Sequence, residues 1–384
     1  MRTFWQILLA VFLSLFLFFG SALATAYVKL QSNIKQHDIS NYFTTKRPEP
    51  VVPLDQKAGQ PLNILVLGSD TRDGLAGYEN SGIGGMRSDT TMLVHIAADR
   101  KRAEIISIPR DTLVDIPSCA LPNGKKTRAQ NNAMFNSAFM LGGSTGDVSA
   151  AAACTLQTVE QLTGVLIDGF VVVNFNSFRD VVNAIGGVEM CFNREISDYD
   201  AALLLPAGCH NLNGDQALGF ARARHSIGDG SDLSRIGRQQ ELVGKIAQKI
   251  FSMNIFTNLP KLYQLTASVT RNLDTSAGIG NIDWLAGLMY SMRSMSTNEI
   301  QFITMPNAPD KKDRNRVRPT AQAAQIWEAL RTDTPIPESA IPLKNPNDEK
   351  VTVDSAKPEN STQSGSGNPA VENSGTQNRK SGTN

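Results

Sequence analysis

Apolar residues are spaced along this chain in four ways. From Phe4 to Ala26 they are nearly continuous, long enough to cross a bilayer as one helix. From about Lys29 to Gln60 no period is visible and Pro48, Pro50, Pro53 and Gly59 punctuate the chain, which predicts a stalk. From Leu62 to Leu330 short apolar runs alternate with stretches of helical spacing, the pattern of an α/β domain. From Asp333 the composition shifts, first to Pro335, Pro337, Pro342 and Pro346, then to a tail rich in Ser, Gly, Asn, Thr and Gln. That tail has too few apolar groups to offset the entropy of ordering and is expected to be disordered. The predicted division is an anchor at 1–28, a stalk at 29–60, a folded domain at 61–332 and a tail at 333–384.

Within the domain, Leu62 to Gly68 reads as a buried strand, followed by Ser69-Asp70-Thr71-Arg72 and a Gly-rich loop to Gly85. Further strands are expected at Thr91 to Ile96 and Ala103 to Ile108, the second ending at Pro109-Arg110-Asp111. Three strand ends thus deliver polar residues: Asp70 with Arg72, Arg87 with Asp89, and Arg110 with Asp111. Sites in α/β folds gather at such ends. Helices are predicted at 131–141 (closed by Gly142-Gly143), 150–162, 178–185, 215–224, 239–251, 259–269 and 319–330, with strands at 169–175, 188–191 and 299–305. Between 284 and 295, Trp284, Leu285, Leu288, Met289, Met292 and Met295 share a helical face. That face suits plain core or a flexible apolar pocket.

Charge narrows the functional classes. The 384 residues carry 37 Lys+Arg against 36 Asp+Glu, a net charge of +1, without the basic excess of a general nucleic-acid binder. Cys119, Cys154, Cys191 and Cys209 form no CxxC, and only four histidines accompany them, so a zinc site is not indicated. The apolar N-terminal run is either a retained anchor or a signal peptide cleaved near Ala22 to Ala26. Its unbroken apolar character up to that point favours the anchor. Either way the domain is expected outside the cytoplasmic membrane, where disulfides form. Four cysteines allow three pairings; Cys119 with Cys154 and Cys191 with Cys209 are favoured, since each would enclose one local excursion of the chain.

The densest chemistry lies between Phe220 and Gln240, FARARHSIGDGSDLSRIGRQQ, with Arg222, Arg224, Arg235 and Arg238 around a Gly- and Asp-rich loop. Guanidinium groups stay charged and match phosphate oxygens. Arg87 and Arg110 come from the strand ends, and the carboxylates of Asp70 and Asp89 could together hold Mg²⁺. No GxSxG, HExxH or P-loop lysine is present.

The segments NILVLGSDTR at 63–72, RSDTTMLV at 87–94, SIPRDT at 107–112, NSAFMLGG at 136–143 and ARARH…DLSRIGRQQ make the chain resemble the LytR–CpsA–Psr family of cell-envelope phosphotransferases. The resemblance implies a three-layer α/β/α domain with a mixed sheet and a hydrophobic tunnel for a polyprenyl chain. It implies transfer of a glycopolymer from polyprenyl pyrophosphate to a peptidoglycan sugar hydroxyl. By position, Asp70 and Asp89 match the family's metal-binding aspartates. Arg87, Arg110, Arg222, Arg224, Arg235 and Arg238 match its pyrophosphate-contacting or catalytic arginines, with Gln239 beside them. Asp232 falls at an acidic position that could orient or deprotonate the acceptor. Two departures stand out: Met134 where a lysine is common, with Arg128 in the preceding loop, and His225 where tyrosine is common. The cysteines and the glycine-rich loop suggest an actinobacterial type, with arabinogalactan or a related polymer as cargo. A polyprenyl-pyrophosphate hydrolase and a non-catalytic lipid-phosphate-binding scaffold are the alternatives. No nucleic acid is expected as partner.

Overall fold

A computed structural model describes residues 2–39, 42, 55, 58–69, 86–224, 227, 230–253 and 273–342. In chain order the helices are α1 (Arg2–Asn33), α2 (Ser137–Gly142), α3 (Val148–Thr163), α4 (Phe175–Ala184), α5 (Gly214–Arg222), α6 (Asp232–Ser252), α7 (Ile282–Ser291) and α8 (Ala321–Arg331). The strands are β1 (Lys35–His37), β2 (Leu62–Ser69), β3 (Ser88–Ile96), β4 (Ala103–Ser107), β5 (Leu113–Ile116), β6 (Gln130–Met134), β7 (Gly169–Val173) and β8 (Val188–Phe192). They continue with β9 (Ile196–Asp198), β10 (Leu203–Leu205), β11 (Gly208–Leu212), β12 (Leu273–Ser276), β13 (Ile300–Thr304), β14 (Asn307–Pro309) and β15 (Val317–Pro319).

Seven strands form a mixed sheet in the order β1-β12-β7-β2-β3-β4-β13. β3 runs antiparallel to both of its neighbours, β2 and β4, β7 pairs parallel with β2, and β13 pairs parallel with β4. Central strands buried on both faces are apolar in nearly every position, as Leu62 to Leu67 is. Leu65, Leu67, Leu93, Ile106, Phe170 and Val172 pack on one face against α2, α3 and α8, through Phe139, Leu156 and Trp327 among others. Ile64 and Ile96 pack on the opposite face with Trp284 and Leu288 of α7. This is the expected α/β fold with helices on both faces. A separate core of Val182, Met190, Phe192, Leu212, Phe220 and Leu242 joins α4, α5 and α6 to the β8–β11 and β9–β10 hairpins. The Met-rich face is mostly core, with Met295 buried.

Both favoured disulfides are present: Cys119 to Cys154 anchors the polar insertion to α3, and Cys191 to Cys209 links paired residues of β8 and β11. Three boundaries differ from expectation. Part of the predicted stalk is folded: β1 pairs parallel with β12, Ile34 and Ile39 are buried, and Asp55 accepts hydrogen bonds of 2.8 and 3.0 Å from buried Arg100. Residues 131–134, read as helix, are strand β6, because the apolar spacing there was too short to separate the two periods. The folded chain also runs past 332: Asp333 accepts from Arg102 and lies 3.1 Å from His95, and Ile336 and Ala340 are buried. The rest of the stalk, the Gly-rich loop with Asp70 and Arg72, His225, the helix expected at 259–269 and residues 343–384 lie outside the described residues. α1 is 32 residues long. Among the described residues no helix is long and apolar enough to cross a membrane; many side chains of α1 lie outside that description.

The paired glycines after NSAFML have a packing reason. A Cβ on Gly142 would lie 2.3 Å from the Ala150 carbonyl oxygen and 2.7 Å from Cys154 Cβ, so α2 can approach α3 only without a side chain there. Gly142→Ala is expected to cost about 3 kcal/mol by overpacking, read as a shift in urea midpoint. In the β14–β15 hairpin, Asp310 is held down at about 2 by the Arg318 guanidinium and by the backbone N–H groups of Lys312 and Asp313. A carboxylate depressed on folding stabilises above its unfolded pKa and loses that contribution as pH falls through the folded value. Asp310→Asn should therefore lower stability at pH 6 and converge with the parent near pH 2, measured by denaturant titration across that range.

Candidate functional site

The site forms where β3 begins, β4 ends and α6 starts. Ser69, which precedes Asp70, is paired with Ser88, which precedes Asp89. Arg110 and Asp111 follow β4. Ser231 caps α6, its hydroxyl accepting from Ser234 N at 3.1 Å. The cap sets the first turn, so that Asp232 and Arg235, three apart, share a helix face.

These groups form one ion cluster. Arg110 Nη1 donates to Asp89 Oδ1 at 3.0 Å, and Arg110 Nε lies 3.2 Å from Asp232 Oδ1 and 3.6 Å from Asp111 Oδ2. Arg235 Nη2 donates to the Asp89 carbonyl at 3.1 Å and to Asp232 Oδ1. Arg235 is only 4% exposed. Burial pushes its guanidinium pKa down and pushes Asp232 up, each against the pull of the other's charge. For Arg110, burial also acts downward, but Asp89, Asp232 and Asp111 outweigh it and the net shift is upward. Asp232 Oδ2 and Arg235 Nε are buried and make no hydrogen bond among the described residues. Such atoms mark where a ligand would complete the set.

Beside the cluster opens a cavity of about 490 Å³. Val66, Met92, Val173, Phe178, Leu218, Leu242 and Val243 give it an apolar wall; Asp89, Asp198, Asp200, Arg222, Arg224 and Arg235, with the neutral amide of Gln239, give it a polar, charged one. Exposed Arg222 rests its guanidinium 4.9 Å from the Phe175 ring centroid, and Phe175 also lines the cavity. Gln239 donates to the Ala221 carbonyl and accepts from Thr90 Oγ1, each at 3.2 Å.

The structure thus brings Asp89, Arg110, Arg235 and Asp232 into one cluster and places Arg222, Arg224 and Gln239 on the adjoining wall. Arg238 is buried and turned elsewhere: it donates to the carbonyls of Ile227 and Ala223 and to Ser234 Oγ, bracing the loop between α5 and α6. Arg87 is exposed just before β3 and does not line the cavity. Asp70 lies outside the described residues. Asp89 Oδ2 accepts no hydrogen bond among the described residues, so an oxygen donor of the kind Mg²⁺ takes is available there. Among those residues no group of three or more His, Cys, Asp or Glu could hold a metal.

Sequence reasoning missed Phe175, Phe178 and Asp198. The two phenylalanines sit three apart on α4, a spacing that puts them on one face. Asp198 is buried, and its carboxylate accepts from Arg224 N at 2.7 Å and Ala201 N at 3.1 Å, joining the β9–β10 hairpin to the arginine segment. Only the pairing of acids in Asp198-Tyr199-Asp200 hinted at it.

A model of the LytR_cpsA_psr family matches residues 24–332. The chain belongs to that family. Among curated relatives it is 31% identical over 261 residues to "Polyisoprenyl-teichoic acid--peptidoglycan teichoic acid transferase TagU" of Enterococcus faecalis, covering 67% of this chain and 75% of that protein. It is 32% identical over 243 residues to "Probable cell wall biosynthesis protein LcpB" of Corynebacterium glutamicum, covering 60% of this chain but only 52% of that protein. Its fold is similar to that of the solved structure of TagV of Bacillus subtilis, with a TM-score of 0.53 at 23% identity over 72% of this chain and 97% of that one. A "LytR-Csp2A-Psr enzyme from Actinomyces oris" gives 0.52 at 21% identity over 75% and 97%.

The buried pair gives a stability prediction. Arg235→Met leaves the buried Asp232 carboxylate with Arg110 as its remaining guanidinium neighbour and should destabilise by about 3 kcal/mol, whereas Arg235→Met with Asp232→Leu should recover most of that loss. A double-mutant cycle by chemical denaturation checks it.

Proposed function

We propose that this chain transfers a glycopolymer from a polyprenyl-pyrophosphate donor onto a peptidoglycan sugar hydroxyl, forming a phosphodiester. The observation that carries the reading is the direct junction of an apolar cavity wall with a charged one that holds three arginines, Arg222, Arg224 and Arg235, beside three aspartates. A polyprenyl pyrophosphate has that same division, an apolar tail ending in a dense anion. The names of the curated relatives, which include polyisoprenyl-teichoic acid to peptidoglycan transferases, support the reaction class.

In this reading Phe178, Leu218, Leu242 and Val243 hold the tail. Arg222, Arg224 and Arg235 bind the pyrophosphate oxygens, and Arg110 neutralises charge that moves during transfer. Asp89, with Asp70, would hold a Mg²⁺ ion, which supplies further neutralisation of the pyrophosphate when bound. The acceptor hydroxyl oxygen forms a bond to the phosphorus that carries the glycan. The bond from that phosphorus to the bridging oxygen breaks, and polyprenyl phosphate leaves with the electron pair. Asp232 takes the hydroxyl proton; its raised pKa makes it a stronger base than an exposed carboxylate. Arg238 and Arg87 act outside the cavity, Arg238 by holding the α5–α6 loop. α1 serves as the membrane anchor and keeps the domain on the outer side, where donor and wall meet. The proposed cargo is arabinogalactan or a related polymer, in keeping with the disulfides and with the Corynebacterium relatives named as cell wall biosynthesis proteins.

The test combines full-length chain, lipid-linked glycan, peptidoglycan and Mg²⁺, with mass spectrometry of the wall fragment. Phosphodiester-linked glycan is expected, with Arg235→Lys and Arg222→Ala each losing about a hundredfold in rate. Released phosphate without ligation would mean hydrolysis instead. Donor that binds and never turns over would mean a scaffold.

A further inference from the structure

The β14–β15 hairpin carries an ordered basic loop that the transfer reaction leaves unassigned. From Asp310 to Arg318 the sequence reads DKKDRNRVR, five basic residues against two acidic ones. Both acids are engaged within the loop, Asp310 buried and Asp313 exposed. Asp310, buried, accepts from Lys312 N at 2.8 Å, Asp313 N at 3.0 Å and the Arg318 guanidinium. Asp313 accepts from Asn315 N at 3.0 Å, and Asp310 N donates to the Arg316 carbonyl at 2.8 Å. Lys311, Lys312 and Arg314 are left exposed. Holding three cations on a short pre-ordered loop reduces the entropy lost when they meet an anion.

The loop is tied to the site. Arg316 Nη1 donates to Asp111 Oδ1 at 3.3 Å, and Asp111 Oδ2 lies 3.6 Å from Arg110 Nε. Val317 N donates to the Asp111 carbonyl at 3.2 Å. The cavity wall includes Asp89 and Arg235, but neither Arg110 nor Asp111, which tie the loop to the cluster. None of residues 310–318 lines the cavity.

We infer that Lys311, Lys312 and Arg314 form a docking surface for the acceptor, an acidic glycan–peptide strand whose peptide carboxylates they engage, so that a sugar hydroxyl reaches Arg110 and Asp232. This rests on the transfer reading for the identity of the acceptor. The link from Arg316 through Asp111 to Arg110, at a loop that does not line the lipid cavity, favours the wall strand over an anionic membrane surface. Opposite charges distributed along a flexible strand give speed and orientation of encounter more than tight binding, and the contact is weakened by salt.

The test uses the full-length chain in neutral detergent, pelleted with purified insoluble peptidoglycan at low salt. Lys311→Gln, Lys312→Gln and Arg314→Gln are combined in one variant; these side chains are exposed, and a thermal melt confirms folding. The variant is expected to bind peptidoglycan about tenfold more weakly. The parent should show the same loss with peptidoglycan whose carboxyls have been amidated, while polyprenyl-pyrophosphate binding by the variant is unchanged. Undiminished pelleting of the variant, or equal binding of amidated material, would overturn the inference. So would a loss confined to vesicles of anionic lipid, which would assign the loop to the membrane. Failure of the parent to bind polyprenyl pyrophosphate would overturn the transfer reading alone, because pelleting is read without the donor.

Discussion

The pairing of Asp232 with Arg235 and Arg110 is the interaction on which the site depends. It takes a carboxylate and a guanidinium out of water, which is unfavourable unless geometry and neighbours compensate. The compensation comes from three parts of the chain: the α6 cap, the backbone carbonyl of Asp89 and the side chain of Arg110. Because each partner belongs to a different element, the cluster also fixes α6 against the ends of β3 and β4. The same contact that sets the charge distribution positions the helix supplying Leu242, Val243 and Gln239 to the cavity.

From that constraint follows the two-sided character of the site. The face of the sheet that carries Val66 and Met92 is covered at one end by α7 and faces the cavity where α4, α5 and α6 stand off from it. Apolar surface there gains by taking an apolar chain, while the adjoining arginines attract the anion attached to it. Arg222 over Phe175 sits at the junction of the two environments, its charge against an aromatic face.

Much of this was legible in the sequence. The strand ends at Asp89 and Arg110 are local signals, and the structure keeps them; the helix expected from 239 begins instead at Asp232, which makes Asp232 and Arg235 an i, i+3 pair. The disulfide pairs followed from short excursions that the fold indeed staples. What was not legible depended on contacts distant in sequence. β1 is three residues long and becomes a strand only because β12 is there to receive it. Arg238 and Arg235 look alike in sequence. They differ because one faces carbonyls of the α5–α6 loop and the other faces Asp232 and the cavity. The cavity residues Phe175 and Asp198 likewise acquire meaning only when α4 and the β9–β10 hairpin are brought to the arginines.

The central claim is that one cavity reads both halves of a lipid pyrophosphate. Its most direct test is the affinity of the full-length chain for three probes, by native mass spectrometry or calorimetry: polyprenyl pyrophosphate, the polyprenyl alcohol of equal length, and inorganic pyrophosphate. The account predicts that the lipid pyrophosphate binds at least about tenfold more tightly than either fragment, and that Arg235→Lys removes the advantage over the alcohol. Equal affinity for the lipid pyrophosphate and the alcohol, or for the lipid pyrophosphate and inorganic pyrophosphate, would contradict it.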